Sequence, residues 1–273
     1  MFCINPDPFL LPTYRISPFK TDYITINKEL PNDDFAVHYF NEKFGTGKWK
    51  YTFNGREAIV LALQHYNLEK DDVVTILTTS ENFYISSCVT QSIEKFCRWN
   101  RKLTSETKVI LVNHEFGYPH PDMDKIAATG LPIIEDCCTT FFSQDASQKI
   151  GKYGDFSVYS FPKFFPIQIG GILVSSVDQG NSSDSLLDNN QIQYLQKVLS
   201  HQLKTEKDLL QKRKENLEYA VGLFSELGCT LRFEPNQTVV PSALLLNNNG
   251  SINDLNGLKV FLAQNGIQSS VFY

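Results

Sequence analysis

The sequence predicts an α/β protein built on a mostly parallel sheet with helices covering both faces. Three observations carry this. Apolar runs at 73–77, 108–112, 131–134, 156–161 and 171–175 lack a regular polar alternation, as in strands buried on both sides. Segments of helical period separate them, which suits parallel pairing. The chain has 273 residues, 42% hydrophobic and 20% charged, so it can bury a full core. This length fits one large domain or two unequal ones.

The elements follow in order. Residues 1–32 are rich in Pro, Tyr and Phe without periodicity and are expected to form an irregular arm. Asp33 and Asp34 precede Phe35, Ala36, Tyr39, Phe40 and Phe44, whose spacing of three and four predicts an amphipathic helix with an acidic first turn. Gly45-Thr46-Gly47 ends it. A short strand at 49–53 meets the Asn54-Gly55 turn, and a helix with a buried face follows over 56–63, Asn54 serving as N-cap. After the strand at 73–77 come a polar loop and a second apolar stretch at 83–89. Residues 177–189, rich in Asp, Ser, Asn and Gly, form a loop or linker. A long helical stretch at 191–227, one helix or two, leads to a strand, a strand and a helix at 229–233, 239–246 and 255–266. The expected division is a large domain over 1–178 and a small C-terminal α+β domain over 179–273.

Composition excludes several classes. A net charge of -5 argues against nucleic acid as a partner. No apolar run approaches the roughly 20 residues that span a bilayer. The N-terminus lacks a basic region and is broken by Pro6, Asp7 and Pro8, so it does not read as a secretory signal, and a cytoplasmic location is expected. Six cysteines without a CxxC pair read as reduced core residues, and no metal site is expected. His114, at a strand end, reads as a hydrogen-bonded structural histidine. The charge run Lys204, Lys207, Lys212, Arg213, Lys214 reads as a wet helix surface, with a basic helix beside a diphosphate as the alternative.

Three features carry chemistry. Asn54-Gly55-Arg56 opens a helix, where free N–H groups and the helix dipole make either an anion site or simply a turn. Glu135-Asp136 ends a buried strand, where a carboxylate either holds a cationic ring nitrogen or merely meets solvent. Lys163 stands in the apolar segment Ser160-Phe161-Pro162-Lys163-Phe164-Phe165, either snorkelling to the surface or buried as a nucleophilic amine. Gly170-Gly171 beyond it allows close backbone approach.

Together these residues resemble the DegT/DnrJ/EryC1/StrS sugar aminotransferases, which depend on pyridoxal phosphate and have the fold type I architecture. Matching stretches run in the family's order at 54–63, 71–74, 109–117, 122–124, 133–136, 151–161 and 163–171. The resemblance covers about residues 30–273 and is strongest over 50–175. It implies that Lys163 carries the cofactor covalently and that Asp136 pairs with its ring nitrogen. It implies that the amides of Gly55 and Arg56 and the Ser160 hydroxyl hold the phosphate, that Phe83 stacks on the ring, and that Thr139 stands near the phenolic oxygen. It further implies amino transfer from an amino acid such as glutamate to a keto-sugar, nucleotide-linked, in polysaccharide or antibiotic sugar synthesis, by a homodimer. The sequence departs from the family at points. Two residues fewer separate the Ser-Phe pair from the lysine. Thr139 replaces the usual Gln or His. A segment between Phe96 and Lys108 and the region after Ser176 are short, and the chain stops where relatives continue. These departures leave a rival: a degenerate, non-catalytic relative acting as a binding or assembly subunit. Relatives that dehydrate sugars instead carry histidine in place of the lysine, which Lys163 does not match.

Overall fold

A computed structural model describes residues 19, 21–81, 85–178 and 185–265 of the chain. Its centre is a seven-stranded sheet. The strands are β1 (Trp49–Thr52), β2 (Val73–Thr78), β3 (Arg98–Asn100), β4 (Thr107–Asn113), β5 (Ile133–Asp136), β6 (Phe156–Ser160) and β7 (Gly171–Ser175). Their spatial order is β1-β7-β6-β5-β4-β2-β3. β7 alone runs against the others. The expected mostly parallel sheet is therefore present.

Its strands are apolar on both sides because both sides are covered. Ile110, Val112 and Ile133 face one core, into which Phe40 of α2 (Phe35–Phe44) and Leu195, Val198, Leu199 and Leu203 of α6 (Asn189–Lys204) also pack. Their neighbours Val109, Leu111 and Ile134 face the other core, with Ala58, Leu61 and Ala62 of α3 (Gly55–Gln64) and Val89 and Ile93 of α4 (Ser87–Ile93). Side chains alternate along each strand, so an unbroken apolar run serves two layers.

The long helical stretch is two helices. α6 has a capping box at Asp188 and Gln191 and breaks at Thr205 before α7 (Glu206–Glu226). α7 and α8 (Leu255–Gln264) bury none of their residues. The strands β8 (Thr230–Leu231) and β9 (Leu246–Asn247) form a short antiparallel pair between them.

Two expectations need correction. Part of the supposed irregular arm is ordered as α1 (Thr21–Thr25) and a 3₁₀ turn at Ile26–Glu29. Asn27, 1% exposed, pins that turn by donating to the Pro166 carbonyl at 2.7 Å. Within the apolar stretch noted at 83–89, Ser86 caps the helix α4, which begins at Ser87. The strand expected over 239–246 survives only at its end. Val240 N–H donates to Ser143 Oγ at 2.9 Å and Ser242 N–H to the Phe116 carbonyl at 2.7 Å, so this segment spends its backbone on loops of the sheet rather than on a ladder. The short edge strand β3 and the helix α5 (Met123–Ala127) carry too few residues to show a period.

Candidate active site

The chemistry-bearing residues gather at the carboxyl ends of β5 and β6, with the start of α3 beside them. Asn54 caps α3, its Oδ1 accepting from Glu57 N–H at 2.9 Å. The cap uses the amide of Glu57, and the Asn54 carbonyl takes that of Ala58 at 3.2 Å. The amides of Gly55 and Arg56 have no acceptor among the described residues, the usual state of donors in a helix's first turn. Glu57, 8% exposed, holds the turn from below by accepting from the Phe53 amide and, at 2.6 Å, from Leu186 N–H.

Gly55 is where three segments meet. A Cβ there would lie 2.6 Å from Cys138 Sγ and 3.3 Å from Ser160 Cβ. The start of α3, the loop after β5 and the end of β6 therefore touch at this glycine. Gly170 and Gly171 bring a fourth segment in. A Cβ on Gly171 would lie 2.8 Å from Thr52 Oγ1 and 3.0 Å from the Asn54 carbonyl carbon, and Gly170 adopts φ +109°, which favours glycine.

Asp136 ends the central strand β5, buried, with both carboxylate oxygens oriented. Asn113 Nδ2 donates to Oδ2 at 2.7 Å and Cys138 N–H donates to Oδ1 at 3.0 Å. Its neighbour Glu135 points to the other side of the strand and is fully occupied. It accepts from the amides of Gly151, Tyr153 and Gly154 at 2.7–3.0 Å, and His114 Nε2 lies 3.2 Å away. His114 Nδ1 accepts from His120 N–H at 3.0 Å. His114 is thus the structural histidine the sequence suggested. Cys137 lies with His114 and Glu135 in a buried group whose ligand atoms fall within 4.8 Å of one another. Both imidazole nitrogens are engaged in hydrogen bonds, which leaves this group a polar network rather than an open metal cage.

Lys163 ends a 3₁₀ turn at Phe161–Lys163 that follows Ser160. Phe161, Phe164 and Phe165 are buried core, and Lys163 itself is exposed. Its amine is therefore accessible rather than enclosed among the aromatic rings. The amine still reaches the site electrostatically. Burial pushes the Cys138 thiol well up and the Asp136 carboxylate adds to this, while the Lys163 ammonium opposes it. At Cys88 burial also pushes upward. Hydrogen bonds from Arg56 and Ser86, with the charges of Arg56 and Lys163, outweigh it and hold the thiol below its ordinary range. Arg56 Nη2 donates to Cys88 Sγ at 2.9 Å. Asp136 and Lys163 thus both act on Cys138, and Arg56 and Lys163 both act on Cys88.

The other expected residues are placed as follows. Ser160 lies against Gly55. Thr139 Oγ1 donates to the His114 carbonyl at 2.8 Å, so its proton is already used. Phe83 lies outside the described residues. Two further residues lie beside these groups. Asn113 orients Asp136, and Arg213 of α7 donates from Nη2 to the Lys163 carbonyl at 3.1 Å. Asn113 was legible as the last residue of a strand beside β5. Arg213 was hidden in a run of surface charges; the helix is wet as expected, but this guanidinium is half-buried over the Phe164 ring, 5.1 Å from its centroid.

These donors fit pyridoxal phosphate. Two free amides at a helix start suit a phosphate, an oriented carboxylate suits a protonated ring nitrogen, and an amine on an adjacent turn suits the aldehyde. Comparison with known proteins supplies the family. The sequence pattern of the DegT/DnrJ/EryC1/StrS aminotransferase family matches residues 97–273. The chain belongs to this family. A GDP-perosamine synthase from Escherichia coli O157:H7 is 34% identical over 82 residues, 28% of this chain and 22% of that protein, so the match spans about a fifth of the relative. Among solved structures, the aminotransferase TlmJ from Streptoalloteichus hindustanus superposes with TM-score 0.71 at 16% identity, covering 93% of this chain and 83% of that one. A DegT DnrJ EryC1 StrS aminotransferase from Brucella abortus gives 0.68 at 15% identity, covering 92% and 80%. The sheet-and-helix architecture is thus that of fold type I aminotransferases.

Proposed function

We propose that the chain is a pyridoxal phosphate-dependent sugar aminotransferase that moves an amino group from an amino acid, glutamate first among candidates, to a nucleotide-linked keto-sugar. The carrying observation is the convergence at Gly55, where the α3 amides, the Asp136 loop and the turn leading to Lys163 come within contact of one another. The roles follow from placement. The Gly55 and Arg56 amides bind the phosphate, with Ser160 adjoining. Asp136, fixed by Asn113 and by the Cys138 amide, keeps the ring nitrogen protonated. Lys163 holds the cofactor and then carries a proton away from the donor Cα. The cofactor, when bound, supplies the electron sink for that proton removal.

Thr139 offers only lone pairs, since its proton goes to His114. Phe83 is retained as the stacking ring. The reading treats residues 1–178 as the cofactor-binding body and 179–273 as a smaller unit, working as a homodimer in the cytoplasm. Among the described residues no helix is long and apolar enough to cross a membrane.

The test is spectroscopic. Purified protein given pyridoxal phosphate is expected to develop a visible band that borohydride abolishes and that Lys163→Ala lacks. Glutamate is then expected to convert the cofactor to its amine form. A band without conversion by any amino donor would support the non-catalytic rival.

A further inference from the structure

α7 is a solvent-washed helix with no buried residue, yet one of its cations is drawn inward. Arg213 sits with its guanidinium 5.1 Å from the Phe164 ring centroid and donates from Nη2 to the Lys163 carbonyl at 3.1 Å. Among the described residues no carboxylate lies within 4 Å of it. Its neighbours behave otherwise. Lys212 and Lys214 are exposed, and Lys214 faces Glu218 across solvent. The Arg213 guanidinium is half-buried and faces no acid among the described residues. Here the cation instead serves a backbone carbonyl and an aromatic face, and the carbonyl is that of Lys163.

The rest of the turn shows why this carbonyl matters. Phe161 N–H donates to the Gly170 carbonyl at 3.0 Å, and the Phe164 and Phe165 amides donate to the Phe161 carbonyl at 2.9 Å. These bonds anchor the two ends of the turn. The peptide unit following Lys163 is held at both ends: its N–H, that of Phe164, by the Phe161 carbonyl, and its carbonyl by Arg213.

We propose that Arg213 is a positioning residue: by fixing the peptide plane after Lys163 it sets the direction in which the lysine side chain leaves the turn, and so couples α7 to covalent cofactor attachment. This rests on the reading above, that Lys163 carries pyridoxal phosphate. A planar fork stacked on a ring is needed, because a lysine ammonium offers neither the stacking nor the fixed donor direction. Misdirecting a reacting group by about an ångström costs up to a hundredfold in rate.

The experiment uses the full chain and pyridoxal phosphate with borohydride, and reads the modified peptide by mass. Arg213→Met keeps an apolar stem over Phe164 and is expected to slow labelling of Lys163 by about ten- to a hundredfold. Arg213→Lys is expected to recover only part. Without cofactor, amide hydrogen exchange over residues 161–165 is expected to quicken in Arg213→Met, while far-UV circular dichroism stays that of the parent. In a Lys163→Ala background, Arg213→Met is expected to leave non-covalent cofactor affinity unchanged. Labelling of Lys163 at the parent rate, with unchanged exchange in 161–165, overturns the proposal. So does an equal loss of affinity in the Lys163→Ala background, which would mark a general collapse of the site. If the parent protein itself takes no label at Lys163, the functional reading fails and the proposal falls with it. A labelled parent with an equally labelled variant overturns the positioning role alone.

Discussion

The sheet body and the C-terminal stretch of this chain are built on different terms. In the body, every strand between β1 and β3 is buried on two faces, and the site residues sit at strand ends whose position the core dictates. Beyond α6, neither α7 nor α8 buries a residue, and Tyr219, Leu223, Leu227, Val260 and Phe261 stand exposed. A ligand-binding end made of strand termini can be specified by packing alone. A helix with a wet surface can contribute only through an individual side chain that reaches across, as Arg213 does.

This contrast can be broken or sharpened by substitution. The largest effect is expected in the body's core. Phe161, 1% exposed, packs against Phe40, Phe141 and Phe165 at centroid distances of 5.7, 6.1 and 6.2 Å. Phe161→Ala is expected to cost about 3–5 kcal/mol in denaturant unfolding. A cost under 1 kcal/mol would show the core to be loose. At the site, Asp136→Asn keeps the size but removes the charge proposed to face the ring nitrogen. Transamination is expected to fall roughly a hundred- to a thousandfold with little change in melting temperature. Gly55→Ala forces a Cβ to within 2.6 Å of Cys138 Sγ. We expect a loss of about 1–3 kcal/mol, partly restored by adding Cys138→Ala. No restoration would mean that the two segments do not touch as described.

A pH dependence separates the regions as well. His120, buried beside His114, has its pKa lowered from 6.5 to about 4, first by burial and then by the His114 charge. Below pH 6.5 the unfolded chain takes up a proton that the folded chain refuses until about pH 4. Stability is thus full above pH 6.5 and declines as the pH falls toward 4. His120→Gln is expected to flatten that decline, and an unchanged profile would rule His120 out as its source. The smallest effect is expected in α7, where Leu223→Ser should shift stability by no more than about 0.5 kcal/mol. A larger loss would show that a partner surface covers this face.

Much of the body was legible. β7 falls where the apolar run lies, the Asn54 cap and α3 follow from an Asn-Gly turn before a helix former, and the break between α6 and α7 lies within the expected stretch. Asp136 was legible because a buried strand ends in acid. The rest was hidden for physical reasons. Asn27 orders the N-terminal turn through a carbonyl 139 residues away, which no local pattern records. Pro241 and its neighbours look like a strand until one sees that their partners are loops at Ser143 and Phe116. Arg213 shares its composition with Lys212 and Lys214, and only its neighbours in space distinguish it. Lys163 shows the converse. Its apolar company is real, but that company is the core, and the lysine is what the core leaves outside.

The central claim is that one amine and one acid serve the same coenzyme. Mass mapping of the borohydride-reduced protein tests it most directly. We expect a single pyridoxyl adduct, on the peptide containing Lys163, in the parent and at reduced yield in Asp136→Asn. Adducts scattered over surface lysines, or a yield at Lys163 indifferent to Asp136, would contradict it.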